Sequence, residues 1–545
     1  MPLLYCHNKM NFRKKYFGIS CLVFFFFLLD TASAQEVNIN RIIIRPSNIG
    51  GLDYNHEPQS MWDGWDKNIS LIPFIYNQGL WVTGKKNGGY GCVPTLWNSS
   101  VSPGPILNGQ PAIKITPQDA FRYRVYTITA GETPEMNPDI NSWPADLGAP
   151  VDSLGKPRIL GDQTAWTVCN GADTTLYPYF FGNRKLSPRV LLPVEIRETI
   201  FEHFGEINDT SIWANTVFFE WGIFNKGIDA LDSVYLSFWT DIDMALFYSS
   251  DIPAVDTLLQ TGYTWYRKDS SYASTGYTLL FGPSVPSTND TAIFFGKKKF
   301  GYKNLPLSSF RGIADDSFAD SSNFGPPYSL GTAWNVVRGL NQNGKPIIDS
   351  LTKKSTTFPY SGDPITRQGS QWPTFASGGA GFMMTTGPIT IAPGDSQWMM
   401  IVLIPNVKLN GVDAINRMRA NAQYLRSLPY DSLVSRKPRR NVPIKQLPNF
   451  TVPATFKLYS NYPNPFNGQT MIPFDLPERS TVTIEIFDVI GRSIASLPNQ
   501  IFDKGTQSVR WFPAASAGVY FVRVNAVSLE STSKWSGLNK VLLLR

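Results

Sequence analysis

The chain has 545 residues, of which 42% are hydrophobic and 13% aromatic, so it can form large cores and lacks the composition of a disordered protein. Its net charge of +7 comes from three segments, 1–34, 436–453 and 454–545, which carry +3, +5 and +3 and leave −4 for residues 35–435. This distribution argues against a nucleic-acid-binding body.

The first 34 residues have the three parts of a signal peptide. Lys9, Arg13 and two further lysines form a positive segment, and an apolar run follows over 19–29. This run is shorter than the roughly 20 residues that cross a bilayer. Small residues follow and end at Ala34, so we expect cleavage before Gln35. No later run is long enough to span a membrane, and we expect no transmembrane segment in the mature protein.

Between residue 35 and residue 410, short runs rich in β-branched and aromatic residues alternate with Gly and Pro, which predicts a mostly β body. Strands are predicted at 122–128, 216–225, 233–240, 381–386, 389–391 and 398–404. The turn residues 226–229 predict that the second and third of these strands form a hairpin. Residues 393–395 predict a turn between the last two.

One helix is predicted over 412–428, because Ile415, Met418, Ala422 and Leu425 recur at helical spacing. Residues 435–453 are rich in Lys, Arg and Pro and show no apolar period, which predicts a linker. We therefore expect a signal peptide at 1–34, a β-sandwich body at 35–434, the linker at 435–453 and a C-terminal domain at 454–545. The length of the body allows one or two domains.

The C-terminal segment from Ala454 onward has the pattern of a small β-sandwich. Residues 481–486 alternate between polar and apolar, residues 488–492 predict a turn, and further strands are predicted at 493–497, 508–512, 518–525 and 540–544. Short strands with a turn about every ten residues are typical of an immunoglobulin-like sandwich.

This segment resembles the type A sorting domain of type IX secretion cargo. The opening motif is Tyr462, Pro463, Asn464, Pro465, Phe466, Asn467, and residues 474–477 (FDLP) follow it. The later matching pieces are 486–492 around Gly491, 518–523 with Gly518 and Tyr520, and the closing run 540–545 that begins at Lys540. Five matches in the same order make this resemblance specific.

The resemblance implies a route of export. Members of this family cross the inner membrane by the general secretory route, and an outer-membrane translocon then recognises the folded sorting domain. A sortase-like protease commonly removes that domain, and the body is released or attached to surface lipopolysaccharide. The resemblance therefore implies a location at the cell surface or outside the cell, and it implies nothing about the activity of the body.

The body is similar to a group of large secreted proteins that carry the same tail and have no known activity. The matching pieces are 80–85 (LWVTGK), 161–166 (GDQTAW), 224–227 (FNKG), 239–243 (WTDID), and 387–388 with 392–395.

Two cysteines, Cys92 and Cys169, remain after removal of the signal peptide. An even number of cysteines in an exported protein predicts a disulfide. Two buried free thiols are the alternative.

Three acids are candidate metal ligands. Asp241 and Asp243 lie two residues apart at the end of a predicted strand, so their side chains point the same way, and Asp251 follows. Such oxygen ligands suit Ca²⁺, or the acid and base of a glycosidase. Solvated acids at a strand end are the alternative. Histidine is nearly absent from the mature chain, and no metal-protease, nucleophile-elbow or phosphate-loop motif is present.

Tryptophans are dense near the start of the mature chain, at positions 62, 65, 81, 97 and 143. Exposed tryptophans would indicate carbohydrate binding, whereas buried ones fill a core. We expect a body that acts as a binding or structural module, since no catalytic constellation is recognisable. A secreted hydrolase that acts on polysaccharide through Asp241 and Asp243 is the alternative.

Overall fold

Antiparallel strands dominate the fold, as the sequence predicts. The computed structural model describes residues 36–52, 60–66, 69–95, 101–176, 190–205, 211–242, 251–268, 271–314, 329–349, 351–366, 368–369, 380–410, 413–436, 455–461, 464–466, 470–502, 504–511, 513 and 515–544. All of them belong to one unit, Gln35–Arg545.

The body contains 23 strands within the described residues. In chain order they are β1 Ile42–Ile44, β2 Ser60–Asp66, β3 Ile69–Pro73, β4 Ile75–Lys86, β5 Gly89–Pro94, β6 Ser102–Pro103, β7 Ile106–Leu107, β8 Gln110–Pro111, β9 Tyr126–Thr129, β10 Gln163–Asn170, β11 Val194–Glu202, β12 Val217–Asn225, β13 Leu231–Ile242, β14 Asp251–Asp256, β15 Thr261–Lys268, β16 Ser271–Phe281, β17 Ser284–Phe294, β18 Lys297–Asn304, β19 Leu307–Ala314, β20 Ile347–Ile348, β21 Ser355–Thr356, β22 Ala380–Ile391 and β23 Ser396–Asn410.

The C-terminal region adds seven strands, and the described α-helices all lie in the body. The seven strands are β24 Lys457–Leu458, β25 Thr470–Leu476, β26 Ser480–Asp488, β27 Ser493–Phe502, β28 Gly505–Trp511, β29 Gly518–Ser528 and β30 Lys534–Leu543. The helices are α1 Ala112–Ile115, α2 Leu330–Val337, α3 Asp413–Ser427 and α4 Tyr430–Val434, with 3-10 turns at Pro117–Arg122, Ala145–Leu147 and Trp213–Asn215.

Two large sheets pack face to face to form the body. One has the strand order β14-β15-β16-β23-β12-β11-β10, with β6 and β9 also paired to β10, and the other has the order β19-β22-β13-β4-β5. Buried side chains of both sheets form one core, among them Leu80, Leu236, Phe238 and Phe382 from the smaller sheet and Ile196, Phe219, Trp221, Tyr277 and Ile401 from the larger. Because strands from early and late in the body are neighbours in each sheet, these two sheets form a single sandwich.

The predicted hairpin at 216–240 is wrong. The two strands exist as β12 and β13, but β12 pairs with β11 and β23, whereas β13 pairs with β4 and β22. The chain therefore crosses from one sheet to the other between Asn225 and Leu231. The strands β22 and β23 are divided between the two sheets in the same way.

Buried Asn225 holds these two crossovers together. Its side-chain amide donates hydrogen bonds to the carbonyl oxygens of Asp229 (2.8 Å) and Ile391 (2.9 Å). Its backbone N–H donates to Asp395 O (3.0 Å), and its carbonyl accepts from Gly394 N–H (2.9 Å). Asn225 thus supplies hydrogen-bond partners for backbone groups at both crossings. In a hairpin, the ladder between the two strands would supply those partners.

Helices cover the outer faces of the sandwich. The predicted helix is confirmed as α3, and Ile415, Met418, Ala422 and Leu425 are all fully buried against the larger sheet. On the outer face of the smaller sheet, α2 packs on a second cluster that contains Trp81. The strand predicted at 122–128 is only partly right, since it begins at Tyr126 and a 3-10 turn ends at Arg122.

The C-terminal region is a seven-stranded sandwich, as predicted. One sheet has the order β24-β25-β28 and the other β27-β26-β29-β30. Alternate residues of β26, Val482, Ile484 and Ile486, point into a core that also contains Phe474 and Trp511. The two-sheet arrangement is that of an immunoglobulin-like domain.

The disulfide predicted between Cys92 and Cys169 is not formed in the structure, which buries both side chains. Cys169 lies in the core between the two sheets, whereas Cys92 lies in the cluster on the outer face of the smaller sheet. Cys92 Sγ is 3.2 Å from the hydroxyl oxygen of Thr83 on the neighbouring strand. Strand alternation thus directs the two side chains into different clusters, an arrangement that argues against the bond.

A buried carboxyl group lies inside the sandwich. Glu198 on β11 is 4% exposed and accepts a hydrogen bond from Trp221 Nε1 (2.9 Å), while its Oε2 has no partner among the described residues. Burial raises the pKa of Glu198 to about 8, although the Trp221 hydrogen bond opposes the rise. The folded state therefore holds this proton more tightly than the unfolded chain does.

The first prediction is a loss of stability as the pH rises. Since the folded pKa of Glu198 lies above the unfolded value of 4.5, its contribution is complete below that value and is lost as the pH approaches 8. Glu198→Gln, which mimics the protonated acid, should be more stable than wild type at alkaline pH by on the order of 4 kcal/mol. The free energy of unfolding, measured by denaturant titration at pH 5 and pH 9 with Glu135→Gln as surface control, tests this. A variant with the wild-type pH dependence would contradict it.

The second prediction is that both cysteines titrate as free thiols. In the purified mature protein, denatured without reductant, a colorimetric thiol reagent should detect two thiols per chain, whereas the native protein should react slowly because both are buried. The Cys92→Ser variant and the Cys169→Ser variant should each retain one thiol per chain. Absence of reactive thiols in the denatured wild type would show that the disulfide forms.

Candidate functional site

The structure gives the strand positions of two of the three candidate acids, Asp241 and Asp251. Asp241 is half-buried near the end of β13 in the smaller sheet, where it lies opposite Asn77 of β4. Asp251 begins β14, the edge strand of the larger sheet. Asp243 lies outside the described residues, so a calcium site or a catalytic pair remains a prediction. Over the described part of the chain, no cluster of three His, Cys, Asp or Glu side chains is placed to hold a metal ion.

Two of the five tryptophans near the start of the chain are core residues. Trp81 is 2% exposed and Trp143 is 8% exposed. Trp143 Nε1 donates to Pro150 O (2.9 Å), and its ring lies 6.5 Å from that of Trp166. The side chains of the other three lie outside the described residues. These two tryptophans therefore fill cores and do not form a sugar-binding surface.

The opening and closing motifs of the C-terminal domain are bound to each other. Phe466 N–H donates to Leu542 O (2.9 Å), and Leu544 N–H donates to Phe466 O (2.7 Å), which forms a parallel bridge between the motif and the last strand. The Asn464 amide donates to Lys540 O (3.2 Å) and accepts from Leu542 N–H (2.9 Å). The Phe466 ring is 2% exposed in the core.

The remaining motif residues shape the turns of this sandwich. Gly491 has a φ of 83°, which favours glycine, in a turn where Asp488 accepts hydrogen bonds from the N–H groups of Ile490 and Arg492. Gly518 begins β29. Tyr520 donates its hydroxyl proton to Ser516 O (2.6 Å), which is the tyrosine corner common in immunoglobulin-like sandwiches. The motif residues thus join the opening segment of the domain to its last strand and shape its turns. Tyr462, Pro463 and Asn467 lie outside the described residues.

The segment 161–166 joins the two ends of the body, a role that its sequence did not reveal. Gln163 Oε1 accepts hydrogen bonds from Asn38 N–H (2.6 Å) and Ile39 N–H (3.1 Å) near the start of the mature chain. Asp162, fully buried, accepts from Arg436 Nε (3.3 Å) where the linker begins. Both ends of the body are therefore anchored at one place. The signal that the sequence offered was the pair of polar residues Asp162 and Gln163 at the start of a buried strand.

The predicted signal peptide and most of the linker lie outside the residues that the structure describes. These are residues 1–35, which include the predicted cleavage site between Ala34 and Gln35, and residues 437–454. Among the helices that the structure describes, none is long and apolar enough to cross a membrane.

Comparisons with known proteins identify the C-terminal region and leave the body unassigned. Residues 460–536 match the secretion system C-terminal sorting domain family. No curated protein matches the chain, and the likeness of the body to other secreted proteins stays a prediction.

Similarity to solved structures is low. A polysaccharide lyase has 10% identity and a TM-score of 0.20, with 70% of this chain and 39% of the lyase covered. The native conformation of E. coli alpha-2-macroglobulin has 8% identity and a TM-score of 0.11, with 91% of this chain and 36% of the macroglobulin covered. The chain thus spans well under two thirds of either protein, and neither likeness carries an argument about the body.

The sorting-domain match falls on the sandwich whose opening and closing motifs are bound together, and it agrees with the resemblance found in the sequence. The C-terminal region is therefore a type IX secretion sorting domain, and the protein is exported to the cell surface or the extracellular space.

Proposed function

We propose that the body is a binding or structural module that type IX secretion delivers to the cell surface or beyond. The observation that carries the proposal is the closure of the tail, in which Asn464 and Phe466 pair with the last strand. This closure makes the tail a folded unit with its own core. A translocon can therefore recognise the tail whatever the body does.

The partners follow from the resemblance of the tail. They are the outer-membrane translocon, a sortase-like protease that acts in or near the linker 435–453, and surface lipopolysaccharide or another carbohydrate to which the body becomes attached or bound. The basic, proline-rich composition of residues 435–453 is typical of a linker.

The buried charges of the body support a binding or structural role. Arg419 on α3 pairs with Asp256 (3.4 Å) and Asp363 (3.2 Å), which fixes the helix to the larger sheet. Glu195 is paired with Arg197 (2.7 Å) on the same strand. These three acids are engaged in ion pairs within the fold.

A secreted polysaccharide hydrolase is the second candidate. Asp241 lies at a strand end that leads into residues 243–250, and a carboxylate pair there would provide an acid and a base. Hydrolysis of a polysaccharide by wild-type protein, abolished by Asp241→Asn with Asp243→Asn, would replace the first proposal with this one.

The third prediction concerns the tail. Deletion of 454–545 should leave a folded body in the periplasm, because the body has its own core and loses only its sorting domain. Cell fractionation and surface protease accessibility measure this. As a matched control, a chain whose linker residues 437–450 are replaced by Gly and Ser should still reach the surface. Surface display of the deletion at the wild-type level would contradict the proposal.

The fourth prediction concerns calcium. If Asp241 and Asp243 hold the ion, Asp241→Asn with Asp243→Asn should lower the melting temperature in calcium by on the order of 5 °C and leave it unchanged in chelator, since an ion that binds only the folded state stabilises it. Asp229→Asn with Asp232→Asn, near the other end of the same strand, is the control. A wild-type melting temperature that does not respond to calcium would remove the metal site.

A further inference from the structure

Strands β17 and β18 form a separate hairpin whose connecting turn packs against the larger sheet. Strands β17 and β18 pair only with each other among the described strands, in a two-stranded sheet outside the two large ones. Their register shifts between Pro286 and Thr291, so residues 287–290 bulge opposite Gly301, whose φ is 74°. One edge of β18 therefore has no neighbouring strand within the described residues.

Both ends of this hairpin are fixed to the sandwich. The Gln397 amide accepts from Ser284 N–H (2.9 Å) and donates to Ser284 O (3.2 Å). The Asn304 amide donates to Gly282 O (2.7 Å) and accepts from Ile293 N–H (2.8 Å). Phe295 at the connecting turn lies 6.3 Å from the ring of Trp398. The hairpin is therefore held in one orientation before any partner binds.

The strand β18 carries a concentrated positive charge. Its sequence, KKKFGYKN, contains Lys297, Lys298, Lys299 and Lys303, whereas the hairpin contains one acid, Asp290. Three of these lysines are exposed, and Lys299 is held over the rings of Phe294 (4.5 Å) and Tyr302 (3.8 Å). Among the described residues, none of the four ammonium groups has an ion-pair partner.

Lysines on a free strand edge also have a structural use, because they prevent that edge from pairing with another chain. A single inward-pointing charge is enough for that purpose. Strand β18 has three consecutive lysines and a fourth at Lys303, which is more charge than that purpose requires. Phe300, which is 76% exposed between the lysines, does not protect an edge. Protection of the edge therefore explains neither the number of lysines in β18 nor the exposed ring of Phe300.

We propose that this hairpin is a docking site for a linear acidic polysaccharide, whose carboxylate groups pair with the lysines of β18. The proposal rests on the proposed role of the body as a binding module. Charge complementarity is its basis, since four lysines lie within one strand of eight residues, and Lys297 and Lys299, two residues apart, are about 7 Å from each other along it.

The observations favour a polysaccharide over a membrane. Binding in a membrane interface requires a broad apolar face together with basic residues, whereas β18 exposes one large apolar side chain, Phe300. The protein is exported to the cell surface or beyond, so its partner must be an extracellular polymer or surface. Anionic vesicles and single-stranded DNA are the alternative partners, and the experiment below also measures binding to them.

The test uses the purified mature protein and polygalacturonate as probe. Calorimetric titration at ionic strengths on the order of 0.02 M and 0.15 M compares wild type with the variant Lys297→Gln, Lys298→Gln, Lys299→Gln and Lys303→Gln. The control, Lys156→Gln, Lys345→Gln, Lys353→Gln and Lys354→Gln, changes exposed lysines elsewhere and removes the same charge.

The hairpin variant should bind polygalacturonate roughly tenfold or more weakly than wild type, because it loses four cation–carboxylate pairs. The control should stay within about twofold, and added salt should weaken wild-type binding. The pairs Lys297→Gln with Lys299→Gln and Lys298→Gln with Lys303→Gln should each give a partial loss, which keeps the test valid if the fourfold variant is poorly folded.

Equal loss in the hairpin variant and the control, no binding by wild type, or a loss confined to vesicles or DNA would each overturn the proposal. Unchanged polymer binding with new self-association of the hairpin variant, detected by light scattering, would show that the lysines only protect the edge. Release of reducing ends by wild type in the same samples would instead overturn the binding-module proposal, whatever the hairpin does.

Discussion

The body depends on the contact between the inner faces of its two sheets, and Asn225 is the residue that makes the crossing between them possible. Its fully buried amide and backbone groups bond to both crossovers, from β12 to β13 and from β22 to β23. Because these four strands are central in their sheets, their inner faces supply much of the common core. The covering helices, the start of the mature chain at Asn38 and Ile39, and the hairpin of β17 and β18 are all attached to this sandwich.

Periodicity in the sequence predicted the elements better than their partners. The helix α3 and the alternation of β26 were predicted because each buries a single face. The pairing of β12 with β13 was wrong because both strands are buried on nearly all positions, and a Gly-containing turn signals a hairpin and a crossover alike. The partners of such strands are set by long-range packing, which a local pattern does not contain.

The same limit explains the sites. Cys92 and Cys169 could be counted from the sequence, but the core into which each points depends on the sheet that its strand joins. The net charge of −4 over 35–435 did not indicate the lysines of β18, because a net charge does not show where along the chain the charged residues lie. The sorting domain was predictable because its motif residues, Asn464 and Gly491 among them, make bonds and turns within the domain itself.

The central claim is that the tail alone contains the information for delivery. The most direct measurement is the location of an unrelated, folded periplasmic reporter that carries a signal peptide and, at its C-terminus, residues 436–545 of this chain. We predict that the reporter reaches the cell surface or the medium of a host with type IX secretion. Surface protease accessibility and analysis of the culture supernatant measure this. A reporter that stays in the periplasm while the full-length protein is exported from the same cells would contradict it.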